Sequence, residues 1–298
     1  MAKASESNKG LWTILIVFGG LFGVFVVFAM LVFSAMGAGR GGDKQIGVIE
    51  IVGPIQSSKQ VLEDIRSFAE SKEIKGIIVR IDSPGGSVGA SQEIFEALRK
   101  LDKKVVVSMG NVAASGGYYI ACAAPKVFAN AGTVTGSIGV ISQTFEVDAV
   151  MEYLQLTVNT VTTGEYKDTG SPFRDFSEKD RKLYEALLQD IYLQFVDAVA
   201  EGRGLERKEV LPYADGRIFT GRQALEAKLV DELGGFEAAL DYMKAELEIS
   251  GEPTLVYPKR RQSLLNALFE ESMSALGTEI RQAATPSFEY RWSGAAPQ

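Results

Sequence analysis

Hydrophobic positions fall into two regimes along this chain. From Leu11 to Phe33 they run almost unbroken, rich in Phe, Val, Leu and Ile, and the 30 residues between Lys9 and Arg40 carry no charge. A helix rising about 1.5 Å per residue crosses the hydrocarbon core of a bilayer with roughly 20 apolar residues. The run exceeds the h-region of a cleaved signal, about 7–15 residues, so it predicts one transmembrane helix, an uncleaved anchor over 11–36 in contact with membrane lipid. Cleavage at the small residues of 35–39 and a buried soluble helix are the other readings. Lys3, Lys9 and Glu6 precede the run, and Arg40, Asp43 and Lys44 follow it, so charge biases the orientation only weakly. The expected arrangement is single-pass in the cell membrane, with residues 1–10 cytoplasmic and the large domain extracytoplasmic. Gly19 and Gly23 have the small-xxx-small spacing of helix dimers, which ordinary glycine in a membrane span also explains.

Past a Gly-rich linker, 37–44, the pattern becomes periodic. Gln45–Val52 and Gly76–Ile81 are short β-branched runs that predict strands, and Lys104–Ser108 is a third. Between them Lys59–Ser71 and Ser91–Leu101 place apolar residues at helical spacing. Ile94, Leu98 and Leu101 share one face. Gly116–Ala124 predicts a short buried helix. Strands alternating with helices imply parallel pairing and right-handed crossovers. Ser177–Glu201 predicts a long amphipathic helix, with Ser177 as N-cap, Asp180 three residues on, and Gly202 and Gly204 ending it. Arg207–Ala214 and Gln223–Ala227 are shorter helical stretches. These segments predict an α/β domain over 45–257. The last part, 258–298, reads as an amphipathic helix at 262–277 followed by a loose, flexible tail from Thr285. That helix either packs on its own domain or meets the membrane or a neighbouring subunit.

Charge and composition narrow the partners. With 31 Lys+Arg against 38 Asp+Glu the net charge is -7, and an acidic chain repels phosphate backbones, so no nucleic-acid partner is expected. Cys122 is the sole cysteine and histidine is absent. Internal disulfides and zinc sites built on Cys and His are thereby excluded.

The same absence of histidine shapes the candidate chemistry. Ala113-Ala114-Ser115-Gly116-Gly117 sets a serine among small residues, as a nucleophile would be. A serine hydroxyl needs a base beside it, and an imidazole cannot supply one here. A lysine or a carboxylate is required instead. Lysine, with a pKa near 10.4 in water, acts as base only where desolvation removes its proton. Active sites of α/β folds gather at the carboxyl ends of strands, and two loops qualify: Ser83–Ser87 and Met109–Gly117. Their glycines let backbone N–H groups turn toward a ligand. Together they offer Ser115 as nucleophile with Gly86 and Gly116 as oxyanion-hole donors. The AASGG run also fits simple close packing of helix on strand.

The segments IDSPGGSV (81–88), GNVAASGGYYIACAAPKVFAN (110–130), TVTGSIGVI (133–141), GEYKDTGSPFR (164–174) and DGRIFTGRQALEAKLVDELGG (215–235) together resemble the signal peptide peptidase A family in its short, single-catalytic-domain form. The resemblance covers about residues 45 to 245 and the N-terminal anchor. It implies the ClpP/crotonase-like fold of repeated β-β-α units. It also implies a Ser-Lys dyad: Ser115 matches the nucleophile, Lys167 the general base, Ser137 the serine that orients the lysine amine, and Gly86 an oxyanion donor. No cofactor and no metal are implied. The implied task is hydrolysis of cleaved signal peptides and other small apolar peptides through an acyl-enzyme. The implied assembly is a homo-oligomeric ring or dome whose sites are often completed between subunits. Glu165 and Asp168 flank Lys167 and are expected to point away from its amine.

Two other functions share parts of this pattern. A crotonase-type acyl-CoA enzyme would share the fold, but such hydratases use paired glutamates where this chain has small or apolar residues. A non-catalytic membrane scaffold would keep the fold, but has no need of Ser115, Lys167 and Ser137.

Overall fold

The structure is a computed structural model that describes residues 45–258 and 287–291, together with residues 19, 20, 22, 23, 25–28 and 30. The chain divides into two units, 1–43 and 44–298. The described residues of the first unit are helical. Most of the expected anchor over 11–36, all of the linker 37–44 and the amphipathic segment 262–277 lie outside the described residues. Among the described residues no helix is long and apolar enough to cross a membrane.

The second unit is a mixed α/β domain, built on a sheet rich in parallel pairs. Strands β1 (Gln45–Val52), β2 (Ile74–Ser83) and β4 (Lys104–Ala114) form its centre, flanked by β5 (Lys126–Ala129), β9 (Glu232–Leu233) and β10 (Thr254–Val256), all pairing parallel in the order β10-β1-β2-β4-β5-β9. Helices α1 (Lys59–Glu70) and α2 (Val88–Arg99) make the early crossovers, as parallel neighbours require. A sheet covered on both faces needs strands that are apolar on both faces, and β2 shows this. Ile77, Val79 and Ile81 join one core with Ile49, Val105 and Val107. Ile78 joins the other with Ile46, Val106 and Phe128, under Ala239, Leu240 and Met243 of α8 (Phe236–Glu246). The two-residue side-chain period of a strand thus divides one apolar run between two cores.

Helix α5 (Glu178–Arg203) behaves as its caps predict. The Ser177 side chain accepts from the Asp180 N–H, Asp180 accepts from the Ser177 N–H, and Gly204 ends the helix with φ 63°. At that end Arg203, whose side chain is 4% exposed, pairs with Asp231 at 2.5 Å. The other carboxylate oxygen of Asp231 accepts the Val127 N–H of β5 at 2.7 Å.

Three segments differ from expectation. The strand expected to end at Ser108 continues to Ala114, because β6 (Val134–Gly136) pairs in parallel with Val112–Ala114. The stretch read as a loop before Ser115 is therefore mostly sheet. Helices α4 (Asp148–Tyr153) and α8 were not anticipated. Within the expected loose tail, Ser287–Arg291 form a strand, β11. It lies between β3 (Gly85–Ser87) and β7 (Ile141–Gln143) and is antiparallel to both.

Candidate active site

Ser115 stands where β4 ends and α3 (Gly116–Ala121) begins. The extended strand must turn into a helix within one residue, and Ser115 adopts φ 52°, ψ -115° to do so. Positive φ is costly for a residue with a Cβ and persists only where the surroundings impose it. Here they do: the Ser115 N–H donates to the Gly136 carbonyl at 2.8 Å, and the Ser115 carbonyl accepts from the Tyr119 N–H at 2.8 Å. Thr135 and Thr133 of the β6 segment donate their hydroxyls to the Ala113 and Gly110 carbonyls, each at 2.7 Å, and clamp that segment to β4. The residue following β6, Ser137, also has positive φ, 51°, and its N–H donates to the Arg217 carbonyl at 2.8 Å.

Both serines are buried, yet both line one open cleft of about 590 Å3. Its other walls come from Ile138–Ile141, from Glu185, Leu188, Gln189 and Tyr192 of α5, and from 214–216. The Asp215 carboxyl in that wall is pulled down to about 2 by the Arg217 guanidinium, which donates to it, so the wall carries an ion pair there.

The glycine strand β3 is held against the same point. Ile55 N–H donates to the Gly85 carbonyl at 2.8 Å, and Ser87 N–H donates to the Ile55 carbonyl at 2.7 Å. Gly85 has φ 98°, and a methyl group there would lie 2.6 Å from the Gly116 nitrogen. A methyl on Gly116 would lie 2.6 Å from Ser91 Oγ and 3.2 Å from the Gly86 nitrogen. Glycine is required at both places for the two backbones to approach this closely. The amides of Gly86 and Gly116 thus lie side by side, next to Ser115.

Lys167 is placed differently. It sits in an exposed turn over 164–170, does not line the cleft, and makes no side-chain hydrogen bond or ion pair among the described residues. The carboxylates beside it are engaged elsewhere, as expected. Asp168 pairs with Arg174 at 2.9 Å and Glu165 with Lys179 at 2.6 Å. Of the five residues singled out from sequence, Ser115 and Ser137 therefore share one cleft, Gly86 and Gly116 lie beside Ser115, and Lys167 stands apart within its own chain.

Two residues at the site went unnoticed in the sequence. Ser91 is fully buried, donates its hydroxyl to the Ser87 carbonyl at 3.0 Å and packs where a Gly116 side chain would go; nothing local marks it. Tyr290 of β11 is also fully buried. Its signal was present: Ser287-Phe288-Glu289-Tyr290-Arg291 alternates polar and apolar, the period of a half-buried strand.

Comparison with known proteins assigns the chain to a family. Residues 97–250 match the model of peptidase family S49. The chain is 44% identical over 223 residues to a candidate protease of Synechocystis sp., covering 70% of this chain and 80% of that one. It is 38% identical over 199 residues to a candidate signal peptide peptidase SppA of Enterococcus faecium, covering 66% and 58%. The chloroplastic serine protease SPPA of Arabidopsis thaliana is 33% identical over 258 residues, which are 80% of this chain but 38% of that protein. With a strained serine opening on a cleft, two glycine amides beside it, and a family match spanning half its length, this chain belongs to peptidase family S49 and is a serine-protease hydrolase.

Proposed function

We propose that this protein is a membrane-anchored endopeptidase in which Ser115 is the nucleophile and Lys167 the general base. The observation that carries the reading is the juncture at Ser115, a buried serine in a costly backbone conformation opening on a cleft beside the Gly86 and Gly116 amides. Strain of this kind is kept where it positions a reacting group. The Ser115 hydroxyl gives its proton to the Lys167 amine and attacks a peptide carbonyl. The N–H groups of Gly86 and Gly116 hold the developing oxyanion, and the lysine returns the proton to the leaving amine. Water activated by the same lysine then hydrolyses the acyl-enzyme. Ser137 lies on the same cleft and would orient the amine.

The lysine comes from a neighbouring copy. In its own chain Lys167 is off the cleft, while Phe145, Val150, Tyr153, Leu154, Leu156 and Val161 around its segment are exposed. A run of exposed apolar side chains of this kind marks a protein contact. Assembly of copies into a ring or dome would cover it, desolvate the amine and deliver a neutral base to Ser115. The substrates are cleaved signal peptides and other small apolar peptides. An anchor over 11–36, N-terminus cytoplasmic and protease domain outside, would hold the site beside peptides that seldom leave the bilayer.

The test is complementation in detergent with fluorogenic apolar peptides. Ser115→Ala and Lys167→Ala should each abolish hydrolysis, at least about 10³-fold, while still assembling. Mixed, dissociated and reassembled, the two inactive variants should recover part of the activity, because some sites pair an intact serine with an intact lysine. Hydrolysis that survives Ser115→Ala would defeat the mechanism, and no recovery on mixing would place both residues in one chain.

A further inference from the structure

Lys167 stands between two carboxylates, and both are taken. The turn that carries it is tight: the Lys167 N–H donates to the Gly164 carbonyl at 3.2 Å and the Thr169 N–H to the Tyr166 carbonyl at 3.3 Å. Glu165 and Asp168 share that turn with the amine, within reach of its flexible four-carbon stem. A carboxylate beside an ammonium favours the charged form, so either one, left free, would hold the proton that a general base must lack. Neither is free. The Lys179 amine pairs with Glu165 at 2.6 Å, donates to the Glu165 carbonyl at 3.2 Å and lies over the Tyr166 ring at 4.2 Å. On the other side, Arg174 pairs with Asp168 at 2.9 Å and donates to its carbonyl at 3.1 Å.

At the start of α5, Asp180 pairs with Arg174 and Glu178 with Arg181 at 3.9 Å, while Lys182 is exposed. Glu146, Asp148, Glu152 and Asp175, on the adjoining segments, are exposed and make no ion pair among the described residues, so water and salt screen them. In the cleft that the amine must enter, Asp215 is paired with Arg217, and Glu185 is exposed and without an ion pair among the described residues. Lys179 and Arg174 are thus the two cations that part Lys167 from the carboxylates of its own turn. Lys179 also brings its charge onto Tyr166, the residue next to Lys167, and a like charge nearby disfavours the ammonium form.

We propose that Lys179 is a positioning residue for the reaction: it sequesters Glu165, so that Lys167 reaches Ser115 with no carboxylate attached, and Arg174 does the same for Asp168. Lys179 touches no reacting atom. Its removal lets Glu165 turn to the Lys167 amine and hold the proton there, and hydrolysis then needs a higher pH. This rests on the protease reading above. It adds the residue that keeps the base free of its own neighbours.

The experiment follows kcat/KM of the full chain in detergent, with one fluorogenic apolar peptide, from about pH 6 to pH 10, where the rising limb reports the base of the free enzyme. Lys179→Ala should move that limb to higher pH by about one unit, the lower end of the effect of a carboxylate a few ångströms away. That lowers kcat/KM about tenfold on the acid side of the limb and keeps the alkaline plateau. Lys179→Gln, which keeps much of the stem and loses the charge, should do the same. Lys179→Arg keeps the pair and should keep the wild-type limb. Adding Glu165→Gln to Lys179→Ala should bring the limb back, because no carboxylate is then released. A contact that only holds the fold would instead lower the plateau, leave the limb in place and gain nothing in the double variant, and that result would overturn the inference. A limb that moves with Glu185→Gln but with neither neutral Lys179 variant would overturn it too, since the carboxylate of the cleft would then govern the base. Either result leaves the protease reading standing where hydrolysis still requires Ser115. No Ser115-dependent hydrolysis in the wild type would overturn the protease reading and this one with it.

Discussion

At the scale of single residues, the site depends on a few atoms that can be moved one methyl at a time. Gly116→Ala would drive its methyl toward Ser91 Oγ, 2.6 Å away, and the Gly86 nitrogen, 3.2 Å away. Backbone would have to shift, and with it the amide beside Ser115. Displacing an oxyanion donor by a fraction of an ångström costs roughly 10²-fold in kcat, and we expect that loss for Gly116→Ala with a KM changed far less. Because the nearest obstruction is a hydroxyl, Ser91→Ala combined with Gly116→Ala should recover part of the kcat. Steady-state kinetics of the two single variants and the double variant test the coupling, and a strictly additive double would contradict it.

At the scale of elements, the segment that carries Lys167 is tied down by one guanidinium. Arg174 pairs with Asp168 at 2.9 Å and with Asp180 at 2.5 Å, and Nη2 donates to the Asp168 carbonyl at 3.1 Å. The turn over 164–170 is thereby joined to the capping box of α5. The hydrogen bond from Arg174 is the first cause that holds the Asp180 carboxyl well below the usual carboxylate range, and Asp168 is lowered by the same donor. A depressed folded-state pKa contributes stability above the unfolded pKa, about 3.9 for aspartate, and that stability is lost as the pH falls toward the folded value. Arg174→Ala should therefore lower stability at neutral pH. Urea midpoints followed from pH 7 to pH 3 should show a constant gap from the wild type above about pH 5, narrowing below pH 4. A gap that widens with acid would refute the assignment. If Lys167 serves a neighbouring copy, hydrolysis should fall in this variant even where the fold is intact.

At the scale of the whole molecule, the end of helix α5 is joined to the β5–β9 edge of the sheet by a pair that neither element could make alone. Arg203, at the end of the 26-residue helix α5, is almost wholly buried and meets Asp231 at 2.5 Å, and Asp231 in turn binds the Val127 amide of β5 at 2.7 Å. Removing one partner of a buried pair leaves the other charge without compensation, at about 3–5 kcal/mol. Asp231→Ala should lower Tm by roughly 6–20 °C for a domain of this size, measured by calorimetry. Arg203→Met with Asp231→Leu should lose much less, since an apolar pair strands no charge. An equal loss in both variants would show that the cost does not come from a stranded charge.

What could be read directly from the chain follows from periodicity and local chemistry. Gln45–Val52 and Gly76–Ile81 are strands because β-branched runs favour them. Ser177 starts α5 because Asp180 completes its capping box. Ser115 stood out because a serine among glycines, in a chain without histidine, points to few mechanisms. Helix α8 escaped because its apolar positions serve a second, smaller core that is visible only once the sheet has two faces. The extension of β4 to Ala114 depends on β6, 20 residues away, and no local run of Met-Gly-Asn-Val announces it. Tertiary structure alone brought Gly86 beside Gly116, set Ser137 on the cleft of Ser115, left Lys167 outside that cleft, and laid Tyr290 along β3. The physical reason is common to all four. A residue's propensity is written in its neighbours, whereas an amide's partner or a tyrosine's pocket is supplied by segments that meet only when the hydrophobic cores close.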